Sequence, residues 1–271
     1  MITEKRVKDW AELNEILFQD TWDPIIKRHR STFAYRGVAD VDYILENGLA
    51  RLGTKETRYP NMERNLIKQF KKYAQGHVVE REGNEWNWLS VAQHHGLPTR
   101  LLDWTYSPLI ALHFATVEHD KYEVDGAIWK INYAQVHNLL QKKEKASLLA
   151  LGSQIFTVDA LSETIPDLEA LDSLHADDYD VAVFFEPPAI DNRIVNQFAY
   201  FSALSDRYLS MNDWLNTETV SKKVDALKII IPKDKKWEFR DKLDQSNINE
   251  RVLMTGLDGL CAWLKRHYKP R

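Results

Sequence analysis

Between Asn84 and Phe114 the chain concentrates side chains able to do chemistry: adjacent His94 and His95, then Thr99, Arg100, Asp103, Thr105 and Ser107. Elsewhere Arg36 stands beside Gly37, and Arg193 precedes Gln197 by one helical turn. These residue types grip anions and exchange hydrogen bonds, which suits a site that holds a phosphorylated group and stabilises a polar transition state. A covalent mechanism has less to work with. Ser90 or Ser107 with a loop histidine and Asp103 has the composition of a hydrolase triad, but no Gly-x-Ser-x-Gly elbow places the nucleophile. The sequence also lacks a P-loop, a Gly-x-Gly-x-x-Gly turn and a His-Glu-x-x-His pair. Neighbouring histidines leave a helix end in different directions, so no convergent ligand set, and no metal, is expected. Plainer roles are open for two of the arginines: Arg36 pairing with Asp40 or Asp42, and Arg100 pairing with Asp103 to stiffen its loop.

The elements around these residues follow from period and punctuation. Asn84 is a capping residue before a segment with Trp88, Leu89 and Ala92 on one side, and Gly96 and Pro98 end it. Ser107-Pro108 reads as the start of a second helix. The polar residues from His94 to Asp103 are therefore expected on a tight connection between two buried helices, with the tryptophans as core anchors. Phe33 and Tyr35 alternate with small or polar neighbours, predicting a strand that ends at Arg36-Gly37. Val7 to Phe18 has helical spacing, as does Leu66, Phe70 and Tyr73. Strands are expected over 127–133, 181–185 and 227–231, and the aromatic run Phe198 to Phe201 follows a short helix capped by Asp191. A helix over 134–151 stopped by Gly152, an acidic insertion of short helices to residue 180, and helices over 236–243 and 249–268 complete the reading.

The 271 residues are 44% hydrophobic, enough for a substantial core, with no repeat or Gly/Ser linker, so one domain over 1–271 is expected. A net charge of −4 excludes a global basic field, leaving a local basic patch over about 51–81 as the place to meet a nucleic acid; a solvated helix face accounts for the same charges. The single cysteine, Cys261, excludes an intramolecular disulfide framework and reads as a buried thiol. The opening Met-Ile-Thr-Glu-Lys-Arg-Val has no signal-like apolar run and no stretch is long enough to span a bilayer, so a cytoplasmic, non-membrane protein is expected.

The string Gln93-His94-His95-Gly96-Leu97-Pro98-Thr99-Arg100-Leu101-Leu102-Asp103-Trp104-Thr105, with Tyr35-Arg36-Gly37, Arg193-Ile194 leading to Gln197, and Leu257-Asp258-Gly259-Leu260, resembles the FRG domain family. Tyr35 replaces the family's phenylalanine, Val38 a frequent glutamine and Ala199 a usual glycine. The layout is similar to that of ADP-ribosyltransferases. What this resemblance implies is an α+β fold in which small antiparallel or mixed sheets form a cleft flanked by helices, with NAD as substrate. Arg36, His94, Arg100, Thr105, Ser107 and Arg193 would hold the cofactor, while Arg36, Asp103, Glu186 and Gln197 would serve catalysis. Gln197 stands where a transferase often carries glutamate. The implied role is a toxin-like effector in a toxin–antitoxin or phage-defence setting, modifying a nucleic acid, RNA foremost, or a protein, and restrained by an antitoxin protein. A non-catalytic nucleotide- or partner-binding module and a nuclease are the alternatives.

Overall fold

The computed structural model describes residues 2–52, 61–74, 84–176 and 179–270. In chain order, the elements that build and surround the site are β1 (Thr3–Arg6), α1 (Trp10–Phe18), β2 (Phe33–Val38), α2 (Gly48–Arg51), α3 (Met62–Ala74) and α4 (Glu85–His94). They continue as β3 (Leu102–Thr105), α5 (Pro108–Thr116), β4 (Gly126–Asn132), β5 (Phe156–Thr157), β6 (Ala182–Glu186), α6 (Asn192–Asn196), β7 (Ala199–Leu204) and β8 (Ala226–Ile231). The last are α7 (Lys236–Gln245), α8 (Glu250–Leu253) and α9 (Leu257–His267).

In place of a cleft built from small sheets, these eight strands form one large mixed sheet in the order β1-β8-β4-β2-β3-β7-β6-β5, beside two two-stranded sheets. Its two outermost pairings are parallel and the inner ones antiparallel. The fold is mixed α/β, with helices on both faces of a sheet that draws strands from Thr3 to Ile231. Strand alternation divides the core. Phe33, Tyr35, Ile128 and Ile229 pack with Leu13 and Leu17 of α1, Leu112 of α5 and Phe239 of α7. Ala34, Trp129, Trp104 and Phe184 pack with Trp214 in a second cluster, and Trp86, Leu89, Phe185 and Phe201 belong to a third.

Two sequence readings change here. The Leu-Asp-Trp-Thr end of the motif is strand β3, at the centre of the sheet, and not part of a loop: Trp104 and Leu102 are buried, and Leu102 to Thr105 pair with β7 from Ser202 to Ala199. Strand β2 also continues through Arg36 and Gly37 to Val38, so Arg36 is not at its end. Gly37 is required by packing. A Cβ there would lie 1.7 Å from the carbonyl oxygen of Ala111, so glycine lets α5 press its backbone against β2. That helix is apolar on nearly every side and buried, as its central position demands.

Helix caps follow the sequence closely. Asn84 accepts from the Asn87 N–H at 2.9 Å, and Asp191 from Arg193 and Ile194. Ser107 occupies the N-cap position of α5 without a side-chain cap, while Pro108 fills the first turn as expected. Gly152 ends its helix in the left-handed region, φ 60°, but the segment before it is two helices, Tyr133–His137 and Lys142–Leu151. Beyond it, Val158–Thr164 and Leu168–Asp172 supply the short helices of the insertion, and β5 joins the sheet edge. Cys261 is exposed, contrary to the buried reading. The inward side of α9 is set by Gly259, whose missing side chain admits the Met254 carbonyl, and by Arg266.

Candidate functional site

The site forms where β2 and β3 part. A single register pair, Tyr35 with Thr105, joins these strands, whereas β2 pairs with β4 along its whole length. Below that pair the strands diverge, and a cavity of about 870 Å³ occupies the gap and the space beside it. Its volume lies in the range of small-molecule sites. Its walls come from β2, β3, the turn after α4, α2 and the α6–β7 junction.

Arg36 bridges the split. Its Nη1 donates to the main-chain oxygen of Asp103 and lies 3.7 Å from the Asp103 carboxylate. The Arg36 Nε is out of contact with water and has no hydrogen-bond partner. A buried orphan donor on a fixed guanidinium is a place for an anionic or carbonyl oxygen to bind. Burial pulls the Arg36 pKa down, against the pull of Asp103, without approaching a neutral side chain. Asp103 is held from its other side as well. Gln93 Nε2 donates to Asp103 Oδ2 at 2.9 Å, and the Thr99 hydroxyl donates to Gln93 Oε1 at 2.6 Å. Thr99, fully buried, accepts from the Leu101 N–H at 3.0 Å.

His94, the last residue of α4, places Nε2 2.7 Å from Asp191 Oδ2. Its side chain is 8% exposed and therefore fixed, and its ring meets that of His95 edge-on at 5.1 Å. Asp191 caps α6 with its other oxygen, so one carboxylate orients both the histidine and the helix carrying Arg193. Burial works against the Asp191 charge, but the N–H of Ile194 and the His94 ring outweigh it and hold its pKa below the ordinary carboxylate value.

The remaining candidates divide. Arg193 and Gln197 line the cavity, with the Gln197 amide nitrogen bonded to the Leu253 carbonyl at 3.1 Å. Thr105 also lines it, but its hydroxyl donates to the Gln197 carbonyl at 2.8 Å and accepts from the Ser107 N–H at 3.1 Å, locking the strand–helix corner. Ser107 and Glu186 are not on the cavity wall; Glu186 is exposed at the end of β6. Arg100 points away into a buried ion cluster. Its Nε and Nη2 bond both Glu63 oxygens at 2.8 and 2.5 Å, and Nη1 bonds Asp172 at 2.5 Å. It neither lines the cavity nor pairs with Asp103, because its guanidinium is taken by Glu63 and Asp172.

Arg36 likewise does not pair with Asp40, which takes Lys121 at 3.0 Å. Sequence reasoning missed Gln93 as a site residue; its spacing of one α-helical end and one strand from Asp103 carries no periodic signal. Arg51 on α2 was also missed as a cavity residue. Of the basic stretch over 51–81, residues 53–60 and 75–81 lie outside the described residues. On α3, Arg64 pairs with Glu169 at 2.8 Å, and Lys71 and Lys72 sit over the rings of Trp88 and Tyr73.

Residues 31–124 match the model of the FRG domain. The matched residues, about a third of the chain, contain Arg36, Gln93, His94 and Asp103, and so most of the polar floor of the cavity. The α6–β7 wall, with Arg193 and Gln197, lies beyond the matched FRG segment. No curated protein and no solved structure matches the chain. Among the described residues, no group of three histidine, cysteine or acidic side chains is placed to hold a metal ion, and no helix is long and apolar enough to cross a membrane.

Proposed function

We propose that the cleft binds NAD as a substrate and that the chain transfers ADP-ribose from it to an acceptor. One observation carries this reading: Arg36, with an unpartnered buried Nε, and the Asp103 carboxylate stand together in the gap between β2 and β3. The arginine offers donors to a phosphate or ribose oxygen, and Arg193 and Arg51 on the facing walls add positive charge for a pyrophosphate. Cleaving the nicotinamide–ribose bond builds positive charge on the ribose, which a fixed carboxylate stabilises. Asp103 fills that role, since Glu186 lies off the cavity wall and Gln197 is neutral. Likeness to the ADP-ribosyltransferase layout supports the same chemistry, and a growth-arresting effector held in check by an antitoxin is the role that chemistry fits.

The test is incubation of the purified chain with NAD labelled in its ADP-ribose part, together with RNA, DNA or protein acceptors. Label transfer and nicotinamide release, both lost in Arg36→Ala and Asp103→Ala, are the expected result. A folded protein that releases no nicotinamide and transfers no label refutes the reading.

A second reading, nucleotide binding without turnover, is favoured by the Gln197 amide, which is spent on the Leu253 carbonyl. It predicts that NAD or a related nucleotide binds, that Arg36→Ala weakens binding, and that no product accumulates.

A further inference from the structure

The turn after α4 and the cap of α6 place a histidine and a carboxylate in the arrangement of a proton-accepting pair. His94 Nε2 is 2.7 Å from Asp191 Oδ2. An ionised carboxylate only accepts hydrogen bonds, so the proton of the neutral ring belongs on Nε2 and Nδ1 keeps its lone pair. The geometry is held from three directions. Asp191 Oδ1 accepts from the Arg193 and Ile194 N–H groups at 2.9 and 3.0 Å, which fixes the carboxylate. The His94 side chain is 92% withdrawn from solvent, given its 8% exposure, and the His95 ring braces it edge-on. His94 lines the same cavity as Arg36 and Asp103.

We propose that His94 is the general base that deprotonates the acceptor, and that Asp191 is its positioning residue. This rests on the ADP-ribosyl transfer reading above and adds the class of acceptor: a hydroxyl or amine whose proton must leave as it attacks. In the step, the acceptor oxygen or nitrogen bonds to the ribose anomeric carbon. The bond from that carbon to the nicotinamide nitrogen breaks, and its electron pair leaves with nicotinamide. His94 Nδ1 takes the acceptor proton, and the resulting imidazolium is balanced by Asp191. Asp103 stays on the ribose and carries no proton in this scheme. The other titratable groups on the cavity walls are Arg36, Arg51, Arg193, Asp103, His95 and Tyr35, whose hydroxyl donates to the Leu17 carbonyl at 2.8 Å. Of these, His95 is the other imidazole, and its ring meets that of His94, so the test must resolve the two rings.

Asp191→Asn separates the base from the fold. Asparagine caps a helix as well as aspartate does, so its side-chain oxygen keeps the Arg193 and Ile194 bonds. Its NH₂ then faces His94 Nε2, which must become the acceptor, and the ring proton moves to Nδ1, where it blocks proton uptake. Nitrogen-15 NMR of the imidazoles, with His94 assigned through His94→Gln, reads the tautomer directly. Label transfer from NAD reads the step. The expected result is an Nε2-protonated His94 ring in the wild type, an Nδ1-protonated ring in Asp191→Asn, and transfer slowed by about 100-fold or more at unchanged melting temperature and NAD affinity.

An Nδ1-protonated ring in the wild type, or an Asp191→Asn protein that transfers label within a few-fold of wild type, overturns the inference and leaves ADP-ribosyl transfer standing. A wild-type chain that neither transfers label nor releases nicotinamide removes that reading, and the assignment of His94 as a base falls with it.

Discussion

Gln93 and Asp103 meet through one directed hydrogen bond, Nε2 to Oδ2 at 2.9 Å, although one lies in the last turn of a helix and the other in a strand. The direction is set by Thr99. Its hydroxyl accepts from the Leu101 N–H and therefore gives its own proton to Gln93 Oε1, which turns the amide nitrogen toward Asp103. A buried threonine thus decides which end of a cavity glutamine the carboxylate meets.

Thr99→Val removes that control at nearly constant shape. The Leu101 N–H and Gln93 Oε1 lose their partner, at a cost of about 1–3 kcal/mol in folding stability. Gln93→Glu keeps the length but sets a second carboxylate against Asp103. We expect ligand binding and turnover to fall in both variants, and further in Gln93→Glu. Denaturant unfolding and NAD binding by calorimetry check these outcomes, and a Gln93→Glu protein that binds like wild type contradicts the network.

Arg36 and Arg100 make opposite predictions. Arg100→Ala leaves Glu63 and Asp172 facing each other beside Arg207 without the guanidinium that joins them, and Glu63 is 3% exposed. The expected loss is about 3–5 kcal/mol of stability. Arg36→Ala should weaken ligand binding with a smaller stability loss, because its Nε has no internal partner to orphan. Melting temperatures and binding measured side by side distinguish them; a normal melting temperature for Arg100→Ala refutes the structural role.

Gly37→Ala tests the contact between β2 and α5. Its Cβ would meet backbone atoms, the Ala111 carbonyl and the Ala115 nitrogen, and no flexible side chain could yield. Overpacking of this kind costs about 1–3 kcal/mol or more. Gly152→Ala has open space and only the left-handed φ against it, so about 1 kcal/mol is expected. Comparison of unfolding midpoints should rank Gly37→Ala as the more damaging; equal midpoints would mean that α5 can retreat.

Acid sensitivity follows from two buried histidines. His137 Nδ1 donates to the Gln154 carbonyl and Nε2 accepts from the Phe184 N–H, both at 2.8 Å, so the neutral ring satisfies both neighbours. Burial, against the Gln154 bond, lowers its pKa to about 4. Burial first, and then the charge of Arg240, lowers that of His113 to about 3. Both folded values lie below the unfolded value near 6.5, so as pH falls below it the unfolded chain binds protons that the folded chain refuses. Stability is therefore lost from about pH 6.5 downward toward these values, at up to about 1.4 kcal/mol per pH unit for each histidine. Urea midpoints at pH 7.5 and 5 should differ in that direction, and a flat profile would contradict the burial of both rings.

Much of this protein was determined by local sequence. Asn84, Asp191 and Gly152 fix helix ends because capping and left-handed backbone depend on the residue itself and its near neighbours. The motif from Gln93 to Thr105 marked the region of the cavity for the same reason: its residue types stand together in the chain. Tertiary structure decided what each side chain does there. Whether Leu102–Thr105 is a loop or a central strand depends on partners near residues 35 and 200, which no local period reveals. Whether an arginine lines a cavity, as Arg36 does, or fills an ion cluster, as Arg100 does, depends on carboxylates at residues 63, 103 and 172. Strand pairing and burial of charge are long-range: their energies are set by groups far apart in sequence, and only the folded chain brings those groups together.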